Sequence, residues 1–196
     1  MFDQFSVAMT SACKAYLEQS YAEAGVVVEY GAGGSTLLGA RLGKTVLSVE
    51  SDPKWLLGIM GAYKEQDLPG KVVPIHVDIG LTGKWGYPED EKAFRAWPDY
   101  AFRPWDYCEE HDLSPDLVLV DGRFRPACFL ATCVWSRRPI RLIFDDYAER
   151  SEYHVVENFT KPSEIVDNRM AVFEIEPGLV SARALAKYMG LFLTPR

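Results

Sequence analysis

Five short apolar runs punctuate the chain, each with an acidic residue at or beside its end: Val26–Tyr30, Lys44–Glu50, Lys71–Asp78, Asp116–Asp121 and Arg141–Asp146. Runs this short and continuous, rich in branched apolar side chains, read as strands covered on both faces. Helical spacing fills most of the intervals. Val7–Glu23 sets Ala8, Ala12, Ala15, Tyr16 and Leu17 at helical intervals before Gly25 interrupts. Ser35–Leu42 follows the first strand and stops at Gly43, Lys54–Glu65 follows the second, and Pro126–Trp135 follows the fourth. Strands alternating with helices predict a mostly parallel sheet joined by right-handed crossovers. Further on, Glu164–Val166 and Ala171–Ile175 bracket Asp167-Asn168-Arg169, predicting a hairpin that supplies an antiparallel edge. Val180–Leu193 predicts a closing helix with Ser181 as its N-cap.

A chain of 196 residues with 48% hydrophobic content can bury one sizeable core, so the expectation is one α/β domain over residues 1–196. A formal net charge of -7 disfavours a nucleic-acid partner unless a local basic patch opposes it. Arg123, Arg125, Arg137, Arg138 and Arg141 approach such a cluster, and a solvated face accounts for them as well. The segment Met1–Ser6 has no basic region leading into an apolar core, and no window nears the roughly 18 apolar residues that cross a bilayer. The expectation is a cytoplasmic protein with no membrane partner. Cys13, Cys108, Cys128 and Cys133 lack paired CxxC spacing, which predicts reduced thiols and no zinc site.

Ligands of open α/β sheets bind beyond the carboxyl ends of the strands, so the acidic strand ends converge on one crevice. The first strand runs directly into Gly31-Ala32-Gly33-Gly34, and a helix follows. Residues without Cβ let a backbone pass close to a nucleotide, and the helix start offers unpaired N–H groups. A dinucleotide fingerprint would carry glycine where Thr36 stands. Glu29, two residues before Gly31, would repel a pyrophosphate and suit a ligand bearing an ammonium group, or else caps a helix or sits in an ion pair. Glu50, nineteen residues beyond Gly31, stands where a carboxylate accepts hydrogen bonds from two ribose hydroxyls. Asp78, closing the third strand, can accept from an adenine amino group.

Glu29-Tyr30-Gly31-Ala32-Gly33-Gly34-Ser35-Thr36, followed by Val46-Leu47-Ser48-Val49-Glu50-Ser51-Asp52, resembles the first two cofactor motifs of the class I S-adenosylmethionine (SAM)-dependent methyltransferases. The resemblance extends from about Val26 to Phe173. It implies a Rossmann-like, mostly parallel seven-stranded sheet with helices on both faces and an antiparallel last strand at the edge. It further implies SAM as cofactor, with Gly31, Gly33 and Ser35 along the methionine and ribose and Glu50 on the ribose. Ser35 stands where many members carry another glycine.

Asp121, Asp145 and Asp146 end the fourth and fifth strands, and neighbouring parallel strands would bring them together near the methyl donor. Three hard oxygen donors suit Mg²⁺, in an arrangement similar to that of metal-dependent O-methyltransferases. They equally suit strand-end carboxylates that hold no metal. Asp121 and Asp145 are thus candidate catalytic groups. For a metal-free enzyme His154, in the segment after Asp146, is the first candidate base, ahead of His76 and His111.

The connection from Gly80 to Ser114 far exceeds the usual two to six or so residues of an α/β unit. It is dense in aromatic residues: Trp85, Tyr87, Phe94, Trp97, Tyr100, Phe102, Trp105 and Tyr107. It folds over the crevice and shapes an acceptor pocket, or its rings pack as a satellite core or a homodimer interface. The expected activity is methyl transfer from SAM to an oxygen or nitrogen of a small-molecule acceptor. Two other readings fit the residues: a catalytically silent SAM-binding regulatory or interaction module, and an NAD- or nucleotide-sugar-binding enzyme on a related sheet.

Overall fold

Residues 5–196 are described by a computed structural model; most of the terminus read as leaderless, residues 1–4, lies outside the described residues. The elements follow the apolar pattern closely. Helix α1 (Ser11–Glu23) starts later than the spacing predicts, because Thr10 turns its hydroxyl to the Cys13 amide at 3.3 Å and caps it there. Strand β1 (Val26–Tyr30) opens against Asp116, whose carboxylate accepts from the amides of Gly25 and Val26 at 2.8 and 3.0 Å. After the glycine turn come α2 (Gly34–Arg41), β2 (Thr45–Glu50), α3 (Pro53–Glu65) and β3 (Lys71–His76). Asp52 caps α3 through the amides of Lys54 and Trp55, and Pro53 occupies the first helical position, where no amide is needed.

The long connection that follows contains a helix that the sequence reading left out, α4 (Pro98–Glu110), with Pro104 inside it. Then come β4 (Leu117–Val120), α5 (Arg125–Trp135), β5 (Ile140–Phe144), β6 (Glu164–Val166), β7 (Met170–Ile175) and α6 (Ala182–Lys187). Ser181 caps α6 through the Ala184 amide at 3.2 Å. The helix is shorter than its apolar spacing suggests and passes into a 3-10 turn, Met189–Leu193, that carries Gly190.

The seven strands form one sheet in the order β3-β2-β1-β4-β5-β7-β6. Strands β1 to β5 pair in parallel, and β7 runs antiparallel to both β5 and β6. The antiparallel strand therefore lies just inside the edge, and β6 outside it regains the common direction. Asp167 and Asn168, both with positive φ (52° and 49°), make the tight turn of the β6–β7 hairpin.

Alternation along each strand sends side chains to two layers. Val28 and Tyr30 pack toward α4 and α5 with Val118, Val120 and Phe144, whereas Val27 and Ile143 pack against Leu17 and Tyr21 of α1. Helices thus cover both faces. Strand order reverses between β2-β1 and β4, which opens a crevice at the carboxyl ends of β1 and β4. Among the described residues no helix is long and apolar enough to cross a membrane. All four cysteines are free and buried.

Candidate functional site

A cavity of about 750 Å³ opens beyond the carboxyl ends of the strands. Its walls come from the glycine turn, the ends of β2, β4 and β5, the N-terminal stretch at residues 5–8, and the segment at residues 84–87. The glycines divide the work of close approach. Gly31 has φ +98°, and a Cβ there would lie 2.8 Å from the Gly122 backbone, so this glycine admits the loop after β4. At Gly34 a Cβ would lie 2.4 Å from the Phe5 carbonyl oxygen, so that glycine admits the N-terminal stretch. Only Gly33 among the three faces open space, with nothing within 4 Å of an added Cβ. Ser35 also lines the cavity, with its hydroxyl turned away to Glu29.

Glu29, expected to meet a ligand's ammonium group, stands off the cavity wall. It shares the alternation of Val27 and points toward α2, where it is fully buried and bonded by the hydroxyls of Ser35, Thr36 and Ser48. Burial pushes its carboxyl up to about 7, against the lowering effect of those hydroxyls. Its place is beneath the turn, holding the start of α2. Asp78 departs from expectation in the same way: it is exposed, stands off the cavity wall, and accepts from the Gly80 amide at 2.9 Å. His154 faces away as well, with its ring against Tyr147 at 4.8 Å and its Nε2 3.2 Å from the Tyr147 carbonyl oxygen. That packing removes it as a candidate base.

Glu50 does line the cavity. Its Oε1 accepts from the amides of Ser51 and Asp52 at 2.7 and 2.9 Å, and its Oε2 accepts from the Ala32 amide at 3.2 Å. Burial raises its pKa, and those amides pull the other way. A carboxylate has about four acceptor positions, so Oε2 retains capacity for a further donor. Trp55 closes this side, donating from its indole to the Ala32 carbonyl oxygen at 2.6 Å with Phe5 edge-on at 5.1 Å.

Asp121, Asp145 and Asp146 do come together: their carboxylate oxygens lie within 4.8 Å of one another. Three guanidinium groups converge on the same point. Arg125 is 3.2 Å from Asp121 and 3.6 Å from Asp146, Arg150 is 2.7 Å from Asp146, and Arg169 is 2.7 Å from Asp145 and 3.0 Å from Asp146. Arg125 is itself buried and also donates to the carbonyl oxygens of Gly122, Asp145 and Asp121. Three cations opposing three anions leave no net charge to draw a divalent ion, and guanidinium groups stand where its ligands would have to be free. The triad does not fit Mg²⁺. Asp121 keeps 35% of its side-chain surface accessible, at the wall of the cavity. Burial raises its pKa to about 7; Arg125 opposes the shift, and Asp145 and Asp146 add to it.

The arginines are what the sequence reading missed. Asp121 to Arg125 and Asp146 to Arg150 are both four residues apart, the spacing at which charges meet on one turn of chain, and that repeated signal was available. Arg169 carried none, since only the hairpin brings it to β5. Nor do the clustered arginines form one patch. Arg123 and Arg125 are buried at the cavity, while Arg137, Arg138 and Arg141 pair with Glu109, Asp116 and Glu174 elsewhere.

The aromatic connection serves two ends. Its second half joins the core: Trp105 donates to the Tyr30 hydroxyl at 2.9 Å, that hydroxyl donates to the Ala101 carbonyl oxygen at 2.7 Å, and Trp97 donates to Ile79. Its first half brings Trp85, Gly86 and Tyr87 to the cavity wall.

No protein-family model matches the sequence, and no curated protein matches it. Solved structures do. A methyltransferase-like protein from Silicibacter pomeroyi is 39% identical, with the match covering 97% of this chain and 98% of that one at a TM-score of 0.87. A methyltransferase from Geobacter sulfurreducens is 13% identical, over 87% and 81% of the two chains, at 0.56. An O-methyltransferase from Bacillus cereus in complex with SAH is 18% identical, over 78% and 63%, at 0.52. The last two share the fold alone, whereas the first is alike in sequence over nearly its whole length. The protein therefore belongs to the methyltransferase-like proteins of the class I SAM-dependent methyltransferase fold.

Proposed function

We propose that the protein transfers the sulfonium methyl of SAM to an oxygen or nitrogen of a small-molecule acceptor. The observation that carries this reading is the pairing of the open Gly33 with the inward-facing Glu50 across one cavity of about 750 Å³. That volume suits a nucleoside ligand with a modest acceptor beside it. Glu50 would take the ribose hydroxyls, and the turn at residues 31–35 would run along the ribose and methionine. In the reaction the acceptor's lone pair attacks the methyl carbon in line, the carbon–sulfur bond breaks, and its electron pair passes to sulfur, leaving neutral SAH. Holding the two reactants in that line is the main contribution asked of the protein.

Asp121 is the proposed proton acceptor. It borders the cavity, and a carboxyl titrating at about 7 takes a proton from a hydroxyl or ammonium far more readily than one near 4. Asp145, 1% exposed and held by Arg169, acts by positioning the network rather than by meeting the acceptor. The arginines take the place a metal would need, so no step runs through one. Calorimetric titration with SAM, with NAD as the comparison ligand, tests the reading. Micromolar binding of SAM alone is the expected result, and no binding at millimolar SAM would overturn it.

A further inference from the structure

Among the described residues, Arg123 is the one arginine at the cavity that faces no carboxylate. It is 7% exposed, its Nη1 has no hydrogen-bond partner, and among the described residues its side chain enters no ion pair. The neighbouring arginines 125, 150 and 169 all face carboxylates. A buried guanidinium nitrogen without an acceptor carries a desolvation cost, and such a cost persists in a folded protein where a ligand relieves it. The group is also held in place. Its carbon sits 4.1 Å from the centre of the Tyr87 ring, its backbone amide donates to the Tyr100 hydroxyl at 3.3 Å, and its carbonyl oxygen accepts from Cys128. Adjacent Gly122 is locked against Gly31 by backbone approach.

We infer that Arg123 is the residue that selects the acceptor, and that the acceptor carries an anionic oxygen group, a carboxylate or phosphate, received by this guanidinium beside Tyr87. The inference rests on the proposed methyl transfer and adds the substrate class to it. Arginine's planar fork matches such a group with two parallel hydrogen bonds. Tyr87 belongs to the long connection rather than to the glycine turn, and a connection of that length at the crevice is the element that shapes an acceptor pocket. The methionine carboxylate of SAM offers the same chemistry, so the two sources must be separated by experiment.

The test uses the full chain, loaded with SAH or left free, with inorganic phosphate and benzoate as probes, for the wild type, Arg123→Met and Arg123→Lys. Calorimetry is expected to show the SAH-loaded wild type binding at least one probe, Arg123→Met losing about tenfold or more in that affinity, and Arg123→Lys keeping part of it. SAH affinity is expected to stay within about twofold in both variants. Thermal unfolding of Arg123→Met at or above the wild-type temperature would accompany this, because an unpartnered buried cation has been removed. Equal probe binding by Arg123→Met, or no probe binding by the wild type, overturns the inference. A loss of SAH affinity in Arg123→Met, with 5′-methylthioadenosine binding unchanged, also overturns it by assigning the guanidinium to the cofactor. If the wild type binds neither SAM nor SAH, the proposed activity fails instead, while probe binding by the free protein still reports on Arg123.

Discussion

Arg169 grips both oxygens of the Asp145 carboxylate, Nε on Oδ1 at 2.8 Å and Nη2 on Oδ2 at 2.7 Å, joining the β6–β7 turn to the end of β5 across 24 residues of sequence. Asp145 is 1% exposed, so its charge depends on this fork. Arg169→Ala is expected to lower unfolding stability by about 3 kcal/mol, the lower end for breaking a buried pair because Arg169 is partly exposed. Chemical denaturation of the variant measures it, and a loss within error would show that Asp145 is held by other means.

The same network predicts indifference to divalent metal. Adding Mg²⁺ or a chelator is expected to leave both the thermal unfolding temperature and any methyl transfer of the wild type unchanged. A stabilisation that grows with Mg²⁺ concentration would mean that the arginines yield to the ion.

If Asp121 receives the acceptor's proton, turnover depends on its ionised form. The rate is expected to rise with pH through about 7 and level off above it, since burial has lifted the carboxyl there. Asp121→Asn should remove the rise and most of the rate while leaving SAM affinity intact. A pH profile that keeps its inflection in Asp121→Asn would assign the proton to another group.

Glu29 predicts a pH effect on stability. Its folded pKa of about 7 lies above the ordinary 4.5, so the folded chain holds a proton that the unfolded chain has released. This favours folding fully below about pH 4.5 and is lost as pH rises through 7, amounting to roughly 3 kcal/mol across that range. Glu29→Gln keeps the shape without the charge and is expected to flatten this part of the pH dependence, so that the variant gains on the wild type as pH rises from about 4.5 to about 7. Parallel urea titrations of the two proteins would contradict this.

The two kinds of glycine predict opposite phenotypes. At Gly122 an added Cβ would meet the Tyr100 hydroxyl at 2.1 Å and the Gly31 amide nitrogen at 2.8 Å, so Gly122→Ala is expected to cost about 2 kcal/mol or more in stability. At Gly33, where φ is −170° and nothing lies within 4 Å, Gly33→Ala is expected to fold normally and to weaken SAM binding. Melting temperatures and SAM titrations on both variants separate the effects, and normal SAM affinity in Gly33→Ala would remove the turn from the cofactor site.

The alternation of apolar runs and helical stretches determined the sheet, its helix layers and the edge to which the carboxylates point, because strand and helix periods are written residue by residue. The hairpin turn at Asp167-Asn168 was also local, set by residues that tolerate positive φ.

What the tertiary structure alone decided is the company each charged group keeps. Asp121, Asp145 and Asp146 read as metal ligands in sequence, and the fold surrounds them with Arg125, Arg150 and Arg169, the last delivered by a hairpin that no local pattern ties to β5. Trp105 and Tyr30 meet across 75 residues, which turned half of an apparently loose aromatic connection into core. Arg123 and Arg125 stand two apart, yet one is paired and the other is not. A sequence states which side chains carry charge, but Coulomb and desolvation energies depend on distances and burial between residues far apart in the chain, and only folding sets those.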